Sequence, residues 1–432
     1  QAIFRWSELP VSWVEQLVAW VSGGVESMMP AGPLQRLLVD GVVAGVGAVL
    51  VFLPQILILF FFLALLEDCG YMARAAYLMD RLMVRMGLSG KSFIPLLSSF
   101  ACAVPGVMAT RVIENRRDRL ATILIAPLMS CSARLPVYSL MIGAFIPPIG
   151  LLGGLLDLRG LTMVAMYALG IVTAVVVAWL LKRSLLKGAT PPFVLELPSY
   201  KWPSPITVLH RMLDRAKDFA FRAGKLIIAV SVVIWAASYY PRDSVAVDAK
   251  FAAEREALQA RGAALPDEGE AREEWRRANL ALERSMTAEY QRRSWLGRAG
   301  QWIEPAVRPL GWDWRIGCAA IASFPAREVV VATLGVLFAQ GALPDDEDGE
   351  QGLRDALRSA RWEDGGRPLF TVPVALSIMV FFALCAQCVA TLAVIQRETQ
   401  SWIWPLFTFS YMTILAYIAA FLTYQIGTWL GA

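Results

Sequence analysis

FACAVPGVMATR (Phe100–Arg111) and MSCSARLPVY (Met129–Tyr138) each set a cysteine in apolar sequence broken by proline, and the charged turn ENRRDR (Glu114–Arg119) separates them. Thiols, prolines and an arginine are poor choices for a simple membrane anchor. Broken backbone at membrane depth is tolerated only where it is buried in protein or lines a wet cavity. The two stretches therefore predict a helical membrane protein with a passage for an ion that accepts sulfur ligands.

The surrounding sequence agrees. Of the 432 residues 57% are hydrophobic and only 18% are charged, so little polar surface is available for a soluble fold. Apolar runs of about 18 residues or more can cross a bilayer as helices. They occur at 40–66, 120–146, 161–181, 224–240, 369–395 and 403–430. A seventh run, 316–339, is interrupted by Pro325, Arg327 and Glu328. The net charge of +4 is spread over loops, and nothing points to nucleic acid as a partner. The six cysteines lie mostly in apolar segments, which argues against a disulfide scaffold.

Lysine and arginine near the membrane set the orientation. Arg74, Arg81, Arg85 and Lys91 form one group, Arg111, Arg116, Arg117 and Arg119 a second, and Lys182, Arg183 and Lys187 a third. All three are expected on the cytoplasmic side. Residues 92–110, with Pro95 and Pro105 inside, then enter and leave on that side as a re-entrant hairpin, and 146–160 face outside. Run 316–339 is either a second hairpin entering from outside or a full crossing.

The expected organisation is an interfacial amphipathic segment at 1–35, with Trp6, Trp13, Leu17, Trp20 and Val21 on one face. A first transmembrane half follows at 36–187 and a cytoplasmic connection at 188–222, ending in a basic helix. The second half comprises 223–242 and 314–432, and a charged helical hairpin at 243–313 is inserted between its parts. Two internal echoes suggest duplication. Ser99-Phe100 with Ala109-Thr110 is matched by Ser323-Phe324 with Ala332-Thr333, and VATLGV (Val331–Val336) by VATLAV (Val389–Val394). Coincidence in Ala/Val-rich sequence is the alternative to inverted repeats.

Cys102 lies three residues before Pro105, whose ring removes an N–H and leaves nearby carbonyls without partners. A thiolate beside free carbonyls suits a borderline-soft dication, whereas a cysteine that only packs is the plainer alternative. Cys131 has Met129 and Pro136 nearby and Arg134 three residues on. An arginine at mid-span costs about 2.5–3.5 kcal/mol, so Arg134 must face protein or water; tying down broken carbonyls is its expected role. Glu328 is a costly carboxylate with a functional role or, alternatively, an ion pair with Arg327. Cys385 and Cys388 share a helix face, and Cys69 reads as small filler. Glu67 and Asp68 either attract cations at a pore mouth or mark the membrane boundary.

Other chemistry is excluded. GLSGKS (Gly87–Ser92) has Arg85 where a phosphate-binding loop needs glycine, and no strand precedes it. The single histidine, His210, rules out a histidine-based metalloprotease site.

Several longer segments, in order, resemble the membrane domain of the ferrous iron transport protein B (FeoB) family: Leu53–Leu88, Cys102–Tyr138, FPAREVVVATL (Phe324–Leu334) and CVATL (Cys388–Leu392). The likeness covers most of 34–240 and 314–430. It departs from the family at Arg327, where lysine is usual, and at Gln387, where proline is usual.

The resemblance implies an all-α, polytopic bundle with two gate-like inverted repeats and re-entrant helices. It also implies inward Fe2+ transport across the bacterial inner membrane. Cys102, Cys131, Glu328 and Cys388 would be metal-contacting residues. Glu67, Asp68, Pro105, Met129, Arg134, Pro325 and Arg327 would serve the pathway or its gating, with Met108 a further soft donor. GTP and Mg2+ would act only through a GTP-binding domain, in cis or in trans, that this sequence lacks, so the chain itself is not expected to be an enzyme. The remaining implied partners are the lipid bilayer, small accessory iron-transport proteins and a second copy of the chain. A nucleoside-like carrier sharing the gate segments is the alternative, although the core offers few Asn or Gln side chains to read a base.

Overall fold

The computed structural model describes residues 2–30, 32–151, 156–188, 199–242, 244–263, 270–325, 327, 329–339, 347–362, 366–386 and 388–431. Helix α1 (Ala2–Met28) lies along a helical run made of α2 (Pro33–Arg36), a π-helical stretch at Leu37–Val43 and α3 (Ala44–Asp68). Contact is close at Gly47, where a Cβ would sit 3.0 Å from Val18. Trp13, Leu17, Trp20 and Val21 point away from α3, so the aromatic face expected for 1–35 is the outer one. Gly70, at φ 87°, makes the turn into α4 (Tyr71–Arg85).

The re-entrant hairpin is present as α5 (Phe93–Ala101) and α6 (Ala103–Ala109), broken at Cys102. Asn115 caps α7 (Arg116–Ile125), accepting the Arg117 N–H at 2.9 Å. A 3-10 turn and an extended break lead to α8 (Leu135–Phe145). A minimal ladder of β1 (Gly150–Leu151) and β2 (Leu156–Asp157) then connects to α9 (Leu158–Arg183).

In the second half, α10 (Pro205–Asp218) runs through a π-helical stretch at Phe219–Ala223 into α11 (Gly224–Tyr239). The basic helix expected to close a separate connection at Arg222 is thus the first part of a continuous helix, because Gly224 and the apolar residues beyond it offer no break. Helices α12 (Ser244–Ala263) and α13 (Glu270–Arg293) form the charged hairpin, joined by Lys250–Glu289 at 3.0 Å. The expected hairpin boundary at 313 is too late. Helix α14 (Trp295–Val307) packs into the main body, where a Cβ on Gly300 would meet Cys318 Sγ at 2.3 Å, and Leu310 and Trp312 are buried.

The remaining helices are α15 (Trp314–Ala322), α16 (Val329–Leu334), α17 (Glu347–Ser359), α18 (Val372–Leu384), α19 (Val389–Thr399) and α20 (Ile403–Trp429). Helix α18 is apolar on every face and buried on every face, as a central helix must be. Six helical stretches among the described residues are long and apolar enough to cross a membrane. They match the expected runs except at the first, where the qualifying stretch is Pro33–Val51, and at the fourth, which starts at Pro205 and not near 224.

Side-chain links define two ends. At one end, the feet of the first hairpin meet through Lys91–Glu114 at 2.8 Å, Lys182 binds Asp118, and Arg117 binds the Lys187 carbonyl. The three basic groups gather here. At the other end, Arg358 bonds the Ala144 carbonyl at 2.7 Å and Arg315 the Arg361 carbonyl at 3.0 Å. There Arg315 also lies over the Phe338 ring at 4.5 Å. Arg315 begins the 316–339 run and Phe338 closes it, so the run turns back on itself instead of crossing. Helix α9, about 39 Å long, joins the two ends. The two hairpins therefore enter from opposite ends.

Candidate metal path at four helix breaks

Four chain breaks meet between the hairpins. Ser132 Oγ, at the α7–α8 break, donates to the Ala101 carbonyl at the first hairpin tip, 3.3 Å away. Val389 N–H, at the α18–α19 break, donates to the Phe324 carbonyl at the second tip, 3.2 Å away. Each hairpin tip is thus tied to the broken helix of its own half. The serines of the echoed Ser-Phe pairs play matching parts, Ser99 bonding back to Pro95 and Ser323 to Ala320, both at 2.8 Å. The VATL copies do not correspond: one lies on a hairpin limb, the other after a broken helix.

The freed carbonyls have arginine partners. Arg134, only 1% exposed, donates to the carbonyls of Pro127 (3.0 Å), Leu128 (3.2 Å) and Met129 (3.0 Å). Arg327, 5% exposed, donates to those of Phe382 (3.3 Å) and Cys385 (2.9 Å). Each guanidinium stands in for the donors that a continuous helix would have supplied. Pro325 is buried at the second tip. Glu328 and Gln387 lie outside the described residues, and with them the expected Glu328 role and the Arg327–Glu328 alternative.

Cys102, Cys131 and Cys388 each precede the first residue of a helical segment, in extended backbone. Cys102, Met108 and Cys388 pack on one small apolar cluster of Val49, Val104, Ile227 and Ala390. Cys131 lies within electrostatic range of Cys388 and of Arg327. Met129 is buried, and Cys385 is buried with its thiol turned to the Phe382 carbonyl. Among the described residues no group of three His, Cys, Asp or Glu side chains forms a ready-made cation site.

A cavity of about 710 Å3 is lined by Cys102, Pro105 and Met108 and opens past Lys225, Arg397 and Glu398. A second, of about 690 Å3, is lined by Glu67, Lys91, Arg211 and Asp214. Phe60 and Pro105 line both and lie between them. Glu67 thus faces a cavity, where it pairs with Arg211 at 3.5 Å. Asp68 instead tethers the 199–204 segment, accepting from Ser204 N–H at 2.8 Å and pairing with Lys201 at 3.2 Å. The Ser204 bond, then Lys201, holds its carboxyl below the usual range. Nearby, Arg74 bonds the Gly70 carbonyl and Asp80 accepts from Gly90 N–H. Cys69 bonds only the Leu66 carbonyl.

Sequence reading missed Glu398, which Arg111 and Arg119 hold at the cavity mouth. The partners are 279 to 287 positions apart, so no local pattern announces them.

The profile of the Gate family, described as nucleoside recognition, matches residues 49–145 and 220–402, and that of the ferrous iron transport protein B C terminus matches 163–215. The chain belongs to the Gate family. A relative named Fe(2+) transporter FeoB from Leptospira interrogans serovar copenhageni is 40% identical over 99% of this chain and 56% of its own length. One of the same name from Staphylococcus aureus (strain COL) is 36% identical over 99% and 55%. A Porphyromonas gingivalis relative, named a fusion of Fe(2+) transport protein A and FeoB, is 41% identical over 99% and 48%. The chain spans about half the length of the curated relatives it matches. No solved structure matches it. The fold and these relatives make it a multi-pass membrane protein.

Proposed function

We propose that this chain forms the passage by which Fe2+ crosses a bacterial inner membrane inward. The observation that carries the reading is the convergence of Cys102, Met108 and Cys388 on one apolar patch beside a cavity between broken helices. Cys131 and Glu328, which lies outside the described residues, complete the donor set, and Glu67 would meet cations in the second cavity on release from Arg211. Fe2+ stands low in the affinity order of divalent metals, so soft ligands in a shaped, dehydrating passage are the means of selecting it. Each charge crossing 100 mV gains about 2.3 kcal/mol, so a dication moving inward gains roughly 4.6 kcal/mol and needs gating more than driving.

GTP hydrolysis is assigned to a separate GTP-binding domain acting on the basic end. GLSGKS follows helix α4 and not the strand that a phosphate-binding loop follows, which supports that assignment. The fused relative supports a small accessory protein as a further partner. The nucleoside alternative has little to read a base with, since among the described residues Gln396 is the one amide side chain lining either of the two large cavities.

The test is anaerobic Fe2+ flux into proteoliposomes at a negative inside potential. Loss of flux in Cys102→Ser and Cys388→Ser is expected. Wild-type flux in both variants, or uridine flux indifferent to metal, overturns the reading.

A further inference from the structure

The Cys102 cavity ends at a cluster that joins the two halves of the protein. Glu398 lies in the last turn of α19, and its carboxylate is 5% exposed. Arg111, at the foot of the first hairpin, reaches it through Nε at 3.0 Å and Nη2 at 2.5 Å. Arg119, on α7, reaches it through Nη2 at 2.6 Å. Carboxylates held by guanidiniums in this way are among the stronger polar contacts a protein makes.

The position matters as much as the bond. Helices α6 and α19 pack together and begin at Cys102 and Cys388. The cluster pins the opposite ends of the same two helices. It also fixes the charge of the mouth: among the described lining residues Arg111, Lys225 and Arg397 stand against one carboxylate, itself held also by Arg119, a rim that repels a dication.

We propose that the Arg111–Glu398–Arg119 cluster is the inner latch of this cavity. Closed, it holds α19 against the first half and keeps the mouth positive. Released, it lets α19 swing from α6 and leaves the Glu398 carboxylate facing the opening. The assignment of metal as the passing species rests on the function proposed above; the latch itself does not.

The test reads opening without transport. The full chain in nanodiscs is treated with a charged, membrane-impermeant methanethiosulfonate, and labelling of the Cys102 peptide is timed by mass spectrometry. Glu398→Gln, and Arg111→Gln with Arg119→Gln, are expected to label about tenfold faster than wild type, the size of a typical coupling between sites. The fully reversed cluster, Arg111→Glu and Arg119→Glu with Glu398→Arg, is expected to return most of the way to the wild-type rate. Arg111→Gln alone, which removes a largely exposed partner, serves if Glu398→Gln does not fold. Unchanged or slower labelling in folded variants overturns the latch. Faster labelling in variants whose parent carries no Fe2+ supports the latch and removes the metal reading.

Discussion

Replacing Arg134 by methionine tests whether the central break is held by a guanidinium. Three buried carbonyls, those of Pro127, Leu128 and Met129, would lose their Arg134 donor. A buried acceptor left without a partner costs about 1–3 kcal/mol, so the three together cost roughly 3–9 kcal/mol. Removing a charge from mid-membrane returns about 2.5–3.5 kcal/mol. Near the middle of these ranges the net loss is about 3 kcal/mol. Lysine keeps the charge but presents a compact ammonium without the planar fork, so it should recover only part of the loss. The assay is thermal unfolding in detergent, followed by tryptophan fluorescence, with Cys131 alkylation as a local readout. The expected order of stability is wild type, Arg134→Lys, Arg134→Met, with Cys131 reacting faster as the break loosens. Arg134→Met as stable as wild type, with unchanged Cys131 reactivity, would refute the reasoning.

Three further outcomes follow from the same structure. A Cβ on Gly106 would come 1.9 Å from Ser99 Oγ and 2.9 Å from the Pro95 carbonyl. Gly106→Ala should therefore spread the first hairpin at a cost of about 1–3 kcal/mol, read as a lowered unfolding temperature; a variant as stable as wild type contradicts that packing. Lys182→Met strands the buried Asp118 carboxylate, a loss of about 3–5 kcal/mol that adding Asp118→Leu should largely restore; a double variant no better than the single one argues against the pair. Because the Asp68 carboxyl is held below its ordinary value, the tether to Ser204 is at full strength above about pH 4 and weakens only below it. Hydrogen exchange at the Ser204 amide, corrected for intrinsic rate, should keep its protection at pH 5; loss of protection between pH 6 and 5 would oppose this.

Much of the fold was legible because membrane burial writes itself into composition. Long apolar runs gave the spans, and Pro95 with Pro105 gave the first hairpin. The expectation that Arg134 holds broken carbonyls agrees with the structure because an intramembrane arginine has few inexpensive places to go. Other features were less visible. The continuous helix through 205–239 was hidden because a basic amphipathic stretch and an apolar one look like two elements unless their join is known. The packing of α14 into the body was hidden because it rests on small residues, Gly297 and Gly300, that follow a long charged hairpin and give no hydrophobic signal of their own.

By itself the sequence determined that the chain is a multi-pass helical protein and that its helices break near Cys102 and Cys131. These are local properties, set by hydropathy, proline geometry and side-chain chemistry within a few residues. The sequence alone reads Cys385 and Cys388 as one helix face, and the break between Leu384 and Val389, with both cysteines in extended backbone, corrects that reading. Only the tertiary structure decided that 316–339 turns back, that the two hairpins enter from opposite ends, and that Cys102 and Cys388 share one apolar patch. It alone brought Arg111 and Arg119 to Glu398. Those arrangements depend on contacts between residues tens to hundreds of positions apart, and nothing in the local chemistry of either partner names the other.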